Sequence, residues 1–317
     1  MSIKKKLIKT KKKFKSVKKK SLKYRSNNKI TKKIGSGKES ITTEKLQNII
    51  PVIPKDVQRY IASYLQLNDK SIHDVVYQYY FSDDKNTKQQ IINNYGPISE
   101  WDVSQVTNMY DLFWSCEDFN EDISEWDVSN VTTMEGMFSN CTNFDQPLNS
   151  WNVSKVENMG GMFYNTFKFD HPLNKWNVSK VKNMEDMFHN AYNFDQPLIN
   201  WNVSKVENMS NMFQKARKFN QSLNNWNVSN VKNMDSMFYD AMHFDQPLNN
   251  WDVSSVTNMG YMFFGAHKFN QPLNGWNVSN VEDMPFMFRY AKSFNQPLNN
   301  WPRSARLAAR RPPTGWN

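Results

Sequence analysis

Two cysteines, five histidines and two columns of methionine are the residues of this chain whose types could do chemistry, and their spacing argues against it. Cys116 and Cys141 stand 25 residues apart. Neighbouring strands about 4.8 Å apart would bring such a pair within disulfide reach. Yet both occupy a column otherwise filled by alanine or Thr166, which asks for a small buried residue, and free cysteine behaves as one. Two cysteines in 317 residues also fall short of a disulfide-built secreted scaffold. The methionines could bind a soft metal, but 15 of the 17 fall three residues apart beside a phenylalanine, the spacing of a core. His73, His171, His189, His243 and His267 fall at different positions of the pattern and do not converge. No glycine-rich phosphate loop or nucleophile motif is present. No catalytic residue, cofactor or metal site is expected, and the chain reads as non-enzymatic.

What positions these columns is an internal repeat. Nine tryptophans recur every 25 residues from Trp101 to Trp301, bounding eight units. With tryptophan as position 1, the consensus is W-[ND]-V-S-x-V-x-N-M-x-x-M-F-x-x-A-x-x-F-[ND]-Q-P-L-N-x. Positions 9, 12, 13 and 16 have the i, i+3, i+4, i+7 spacing of one helix face. Asparagine at position 8 suits a helix N-cap, and acidic residues follow it in several units. A two-turn helix over positions 9–16 is therefore expected, too short to survive alone in water. Proline at position 22 of six units precedes leucine, the next tryptophan and a valine, which read as a short strand with its turn. The fold class expected is an α/β solenoid of eight 25-residue coils, about 40 Å long at the usual strand spacing. Its core should include Trp126, Trp151, Trp176, Phe138, Phe163, Phe144, Phe169, Met159 and Met162.

The string WDVSNVTTMEGMFSNCTNFDQPLNS, from Trp126 to Ser150, resembles the BspA-type leucine-rich-repeat family, also called the bacterial surface protein 26-residue repeat or Mycoplasma lipoprotein repeat. YGPISEWDVS, from Tyr95 to Ser104, resembles the entry to such arrays. The resemblance covers about 200 residues. It implies a leucine-rich-repeat-like solenoid with adhesion or protein-binding roles and no catalytic residues. Such repeats occur on bacterial surfaces, in protists and in some large DNA viruses. The lipoprotein signal of the bacterial members is not seen here, which points to an intracellular protein, nuclear or cytoplasmic, of the viral or protist kind.

The flanking segments differ in composition. Residues 1–38 hold 17 Lys or Arg and no Asp or Glu, whereas the whole chain has 40 basic and 30 acidic residues. The positive charge belongs to this tail, which should be disordered to about residue 40 and could contact a polyanion or nucleic acid. No apolar stretch suits a secretory signal or a membrane span. Residues 45–70 read as helical. IPKDVQRYIASYL within them is similar to the opening of an F-box, which would dock a ubiquitin-ligase adaptor through residues 49–68. A plain helical cap explains the same residues. Residues 71–100 should form capping helices, with Ile72, Val75, Val76, Tyr79 and Tyr80 on one apolar face and Ile91, Ile92 and Tyr95 on another. Residues 301–317 abandon the repeat and switch from Lys, Asn and Ile to Arg, Ala and Pro. Residues 302–317 are accordingly not expected to belong to the fold, and deleting them should not change the melting temperature. The six N-V-[ST] sequons read as by-products of the repeat.

Partner-binding residues should lie where the repeat leaves the residue free. Positions 10, 11, 14, 15, 17 and 18 vary as the exposed side of a helix would, yet carry many aromatics: Tyr110, Trp114, Tyr164, Phe167, Tyr192, Tyr239, Tyr261, Phe264, Phe286 and Tyr290. Exposed aromatics mark interaction sites. The function expected is a protein-binding repeat scaffold. A ubiquitin-ligase substrate receptor and a surface adhesin are the alternatives.

Overall fold

The computed structural model describes residues 66–309. Consecutive units lie on one another in parallel, each pairing with the next at position 8: Asn108 with Thr133, Thr133 with Asn158, and onward to Asn258 with Asp283. Backbone pairing extends to either side of this bridge. At position 7 the amide donates back to the preceding unit, as Lys182 does to the Glu157 carbonyl at 2.8 Å. At positions 9, 11, 13 and 15 it donates forward: Met184 to Asn208, Asp186 to Ser210, Phe188 to Met212 and Asn190 to Gln214, at 2.8–3.0 Å. The amides in between close tight turns within their own unit, as Met187 does on Met184 and Ala191 on Phe188.

The expected helix over positions 9–16 is not formed. Every residue at positions 11 and 15 has a positive φ, between 50° and 67°, which no right-handed helix admits. The alternate amides that would close helical turns are spent between units instead. The expected strand around each tryptophan is also absent: among residues 101–300 the structure has isolated bridges and turns, with no helix or strand element. Position 8 does not cap a helix. The Asn158 and Asn208 side chains each accept from the amide two residues on, at 3.0 Å, making the bend that launches the turns.

The same local chemistry explains much of the consensus. The Asn or Asp after each tryptophan accepts from the serine amide two residues on, as Asn177 does from Ser179 at 3.1 Å. The sequon-like N-V-S is thus a turn device. The Asn or Asp at position 20 accepts from its successor's amide one unit later, in an unbroken ladder from Asn120 to Asn295 at 2.8–3.3 Å. Most of the Gln side chains at position 21 donate to the same ladder, as Gln196 does to Asp170 at 2.9 Å.

Positions 11 and 15 call for residues that tolerate the left-handed region, and Gly, Asn, Asp and Ser fill most of them. Lys215, at φ 56°, does not relieve that strain. Lys215→Gly should stabilise the chain by about 0.5–1 kcal/mol. Gly265→Ala should cost about 1–2 kcal/mol at φ 67°, because the added carbon also meets the Asp240 carboxylate. Urea denaturation of the two variants checks the opposite signs.

Nine side chains of each inner unit point inward, at positions 1, 3, 6, 9, 12, 13, 16, 19 and 23. All nine residues expected in the core are buried, Trp126, Trp151 and Trp176 retaining only 3–4% exposure. The phenylalanines at positions 13 and 19 stack within a unit at 4.0–4.3 Å between ring centroids. From Phe113 to Phe288 the position-13 rings stack between units at 5.5–5.8 Å. Each indole N–H of the repeat from Trp126 to Trp301 donates to the carbonyl 28 residues earlier, at 2.8–3.1 Å, so none of these buried donors is wasted. Cys116 and Cys141 are free and buried in this core, and the Cys141 thiol donates to the Phe113 carbonyl.

Two helices cover the first unit. Helix α1, Asp69–Phe81, starts at Asn68, whose side chain accepts from Lys70 and Ser71 in a capping box. It buries Ile72, Val75, Val76 and Tyr79. Helix α2, Lys85–Tyr95, ends at Gly96, whose φ of 78° suits glycine. The Tyr80 ring lies edge-on to Phe113 and Phe119, at 6.2 and 5.7 Å, where a preceding unit would place its own phenylalanines. Its hydroxyl donates to Glu121 at 2.8 Å. The Tyr79 phenol is pushed up to about 12 by burial and by Glu121. Of the F-box-like segment 49–68, only residues 66–68 are described; the Lys-rich tail lies wholly outside the described residues.

Asp69 ties α1 to the first unit. Its carboxylate accepts from the Thr107 amide and hydroxyl and from the Asn108 amide, at 2.6, 2.7 and 3.0 Å. Burial pushes this carboxyl up, but those hydrogen bonds and nearby His73 outweigh it and hold it below its ordinary value. A depressed carboxylate stabilises the fold above its unfolded pKa of about 4 and ceases to do so as pH falls through the folded value. Asp69→Ala should therefore cost about 1 kcal/mol at pH 7, solvent screening limiting the effect at this exposed carboxylate, and the gap from wild type should narrow as pH falls below the unfolded pKa of about 4 and through the lowered folded value. Denaturation midpoints across that range test it.

The C-terminus departs from expectation. Residues 302–309 are part of the fold: helix α3, Arg303–Ala308, follows Trp301 directly. Ala305 and Ala309 are buried, at 8% and 2% exposure, against the end of the stack. Short alanines let the helix lie close over the last unit, which accounts for the alanines of this segment. Residues 310–317 lie outside the described residues.

Candidate interaction surface

The turn segment of each unit, positions 10 to 17, forms one long flank of the stack. Its backbone is held by the ladder of forward-donating amides, so side chains at one position in successive units face each other. Positions 11 and 15 are not free to vary as expected, since their φ restricts them. Positions 14 and 17 are the freer ones, and there the aromatics line up.

The ten predicted contact residues divide into two groups by exposure. Tyr110, Trp114 and Tyr290 are exposed, at 48%, 54% and 55%. The other seven are half-buried because they stack between neighbouring units. Phe167 and Tyr192 lie parallel with centroids 4.9 Å apart, and the Arg217 guanidinium continues the pile 4.8 Å from the Tyr192 ring. Tyr164 packs on His189 at 4.7 Å. Tyr239 and Phe264 stack at 4.6 Å. Much of their area is thus already used in holding units together, so seven of the ten expected contact residues are less free than their variable positions suggest.

Two patches remain. Near the last units, Tyr261 packs on Phe286 at 5.7 Å and Phe264 meets Tyr290 edge-on at 5.0 Å. Arg289 lies over Phe286 and Tyr290 at 4.6 and 4.9 Å, so this patch is aromatic and cationic. At the other end, Tyr110 and Trp114 edge a shallow groove of about 330 Å³. Gly136, Gly160 and Gly161 also line it, and Asp111, Glu135, Glu185 and Asp186 make it acidic. Its surroundings share that charge: residues 101–150 contain ten Asp or Glu and no Lys or Arg. The Tyr110 phenol is held above its ordinary value by a hydrogen bond to Asp111 and by that carboxylate's charge, and remains a neutral donor. Sequence reading singled out the aromatics but missed the carboxylates and Arg289. The uneven charge along the repeat was the available signal.

Among the described residues no three His, Cys, Asp or Glu side chains group as a metal site, and no helix is long and apolar enough to cross a membrane. His171 and His189 are each engaged by an aspartate, Asp145 at 3.3 Å and Asp186 at 2.7 Å.

No curated protein and no solved structure matches the chain. A family model described as "Mycoplasma protein of unknown function, DUF285" matches four times, over residues 77–201, 151–246, 171–266 and 224–309. These overlapping matches reach from α1 to the residue after α3. They cover well over half of the sequence, and the chain belongs to the DUF285 family.

Proposed function

We propose that this chain is a non-enzymatic protein-binding scaffold, a leucine-rich-repeat-like solenoid of the BspA type that holds a partner along its turn flank. One observation carries the reading: Tyr110 and Trp114 stand about half exposed beside each other over an acidic groove. Large aromatics left in water cost free energy and are the side chains that most often dominate binding. The groove's carboxylates favour a partner that brings Lys or Arg there and speed its approach. The parallel pairing of every unit with the next supports the solenoid reading, since a stack so built is stiff enough to present distant patches at fixed spacing.

The test is site-specific photocrosslinking from position 114 and from position 205, an exposed lysine outside the turn segment. A partner trapped only from position 114 should bind Tyr110→Ala/Trp114→Ala at least tenfold more weakly, since hot-spot aromatics contribute about 2 kcal/mol or more. Equal trapping from both positions, or an affinity unchanged in the double variant, rejects the assignment.

A further inference from the structure

The last unit presents an unfilled pairing edge. In every unit before it, the amides at positions 9, 11, 13 and 15 donate to the carbonyls of the next, ending with Met259 to Asp283, Tyr261 to Pro285, Phe263 to Met287 and Gly265 to Arg289. The equivalent amides of the last unit belong to Met284, Phe286, Phe288 and Tyr290. No described residue accepts from any of them. The side-chain oxygen of Asn295 likewise has no donor among the described residues, although its counterpart in each earlier unit accepts from the next.

The apolar layer is open at the same place. The position-13 and position-19 phenylalanines and the position-23 leucine are fully buried in the inner units, but Phe288, Phe294 and Leu298 are only partly buried. Helix α3 covers part of this end and leaves a groove of about 800 Å³ between Arg306 and Ala309 on one side and these residues on the other. The opposite end of the stack is covered differently. There Tyr79 and Tyr80 fill the aromatic layer, and His73 engages one of the outward carbonyls, that of Tyr110, at 2.8 Å.

We propose that this edge binds an extended segment of a partner protein, laid against the last unit as one more unit would be. The stack specifies the occupant, because the same edge is filled seven times within it. The segment must offer carbonyl oxygens at alternate residues. It must also place apolar side chains with the M-x-x-M-F spacing over Phe288 and Phe294. Such pairing joins backbone bonds, which supply affinity, to side-chain pockets, which supply selectivity. A second copy of this chain is the wrong occupant. Its own last unit offers donors to donors, and the aromatic layer of its first unit is already covered by Tyr79 and Tyr80 of α1. The site is separate from the aromatic flank and does not depend on the function proposed for it.

The experiment uses the full-length protein and a synthetic peptide, KVENMSNMFQKARK, copied from residues 205–218. Amide exchange is followed by NMR, with and without peptide. In the free protein the amides of Met284, Phe286, Phe288 and Tyr290 should exchange at least a hundredfold faster than those of Met184, Asp186, Phe188 and Asn190. Saturating peptide should slow the first set at least tenfold and leave Tyr110 and Trp114 unchanged. A peptide with serine in place of its two methionines and phenylalanine should bind at least tenfold more weakly. Four amides already protected in the free protein would show that the edge is closed. No binding at millimolar peptide, or binding that slows amides elsewhere, would equally overturn the proposal.

Discussion

Phe188→Ala should lower stability by about 3–5 kcal/mol, a large share of the 5–15 kcal/mol that holds an ordinary domain together. Phe188 is fully buried and stacks on Phe163 at 5.5 Å, Phe213 at 5.7 Å and Phe194 at 4.1 Å. The ladder amides on either side prevent the backbone from closing over the lost ring, so a cavity remains. The damage also has a direction. Each unit touches only its neighbours, so stability is close to a sum of unit and interface contributions. A defect in the middle weakens both interfaces of its unit and should uncouple the two halves, giving a broadened or two-step transition. Phe294→Ala, in the half-covered last unit, has one interface to lose and should cost less than half as much with a single transition. Urea denaturation followed by tryptophan fluorescence reads both, because the stacked indoles are buried along the whole length. Equal costs at the two sites would contradict an account in which inter-unit stacking holds the chain together.

Truncation after Trp301 should lower stability by about 2–3 kcal/mol, as expected for baring one face of a large aromatic side chain. Trp301 retains only 2% exposure, with α3 following it directly. Its indole N–H already bonds the Leu273 carbonyl at 3.0 Å, so what α3 adds is cover on the outer side. In a chain of this size that loss corresponds to a fall of about 5–10 °C in the melting temperature. The reading from composition alone led to the opposite outcome, an unchanged melting temperature. Calorimetry of the full chain and of a form ending at residue 301 decides between them. An unchanged transition would mean that α3 contributes nothing to the stack.

Chain chemistry and tertiary structure determine different things here. The period, the number of units and the identity of the buried columns were legible, because a residue that must be buried in every unit recurs in every unit: Trp151, Phe163 and Met162 fall inside as their spacing requires. The turn bonds of W-N-V-S and of Asn158 are local, and so they too are set by residue type. The helix over positions 9–16 was misread because apolar residues at i, i+3 and i+4 also suit a segment of alternating turns, and periodicity cannot tell where the amides between them point. Gly136, Gly161, Asn165 and Asn190 at the left-handed positions were the contrary signal. Only the stacking decided that those amides bond the neighbouring unit, since an amide with a carbonyl held about 2.9 Å away in the next unit gains nothing from closing a helix. Stacking also decided which aromatics stay in water. Tyr192 and Trp114 look alike as free residues of the repeat. Tyr192 has Phe167 and Arg217 in register on its two sides, while Trp114 stands at the end of its column with no aromatic neighbour to cover it.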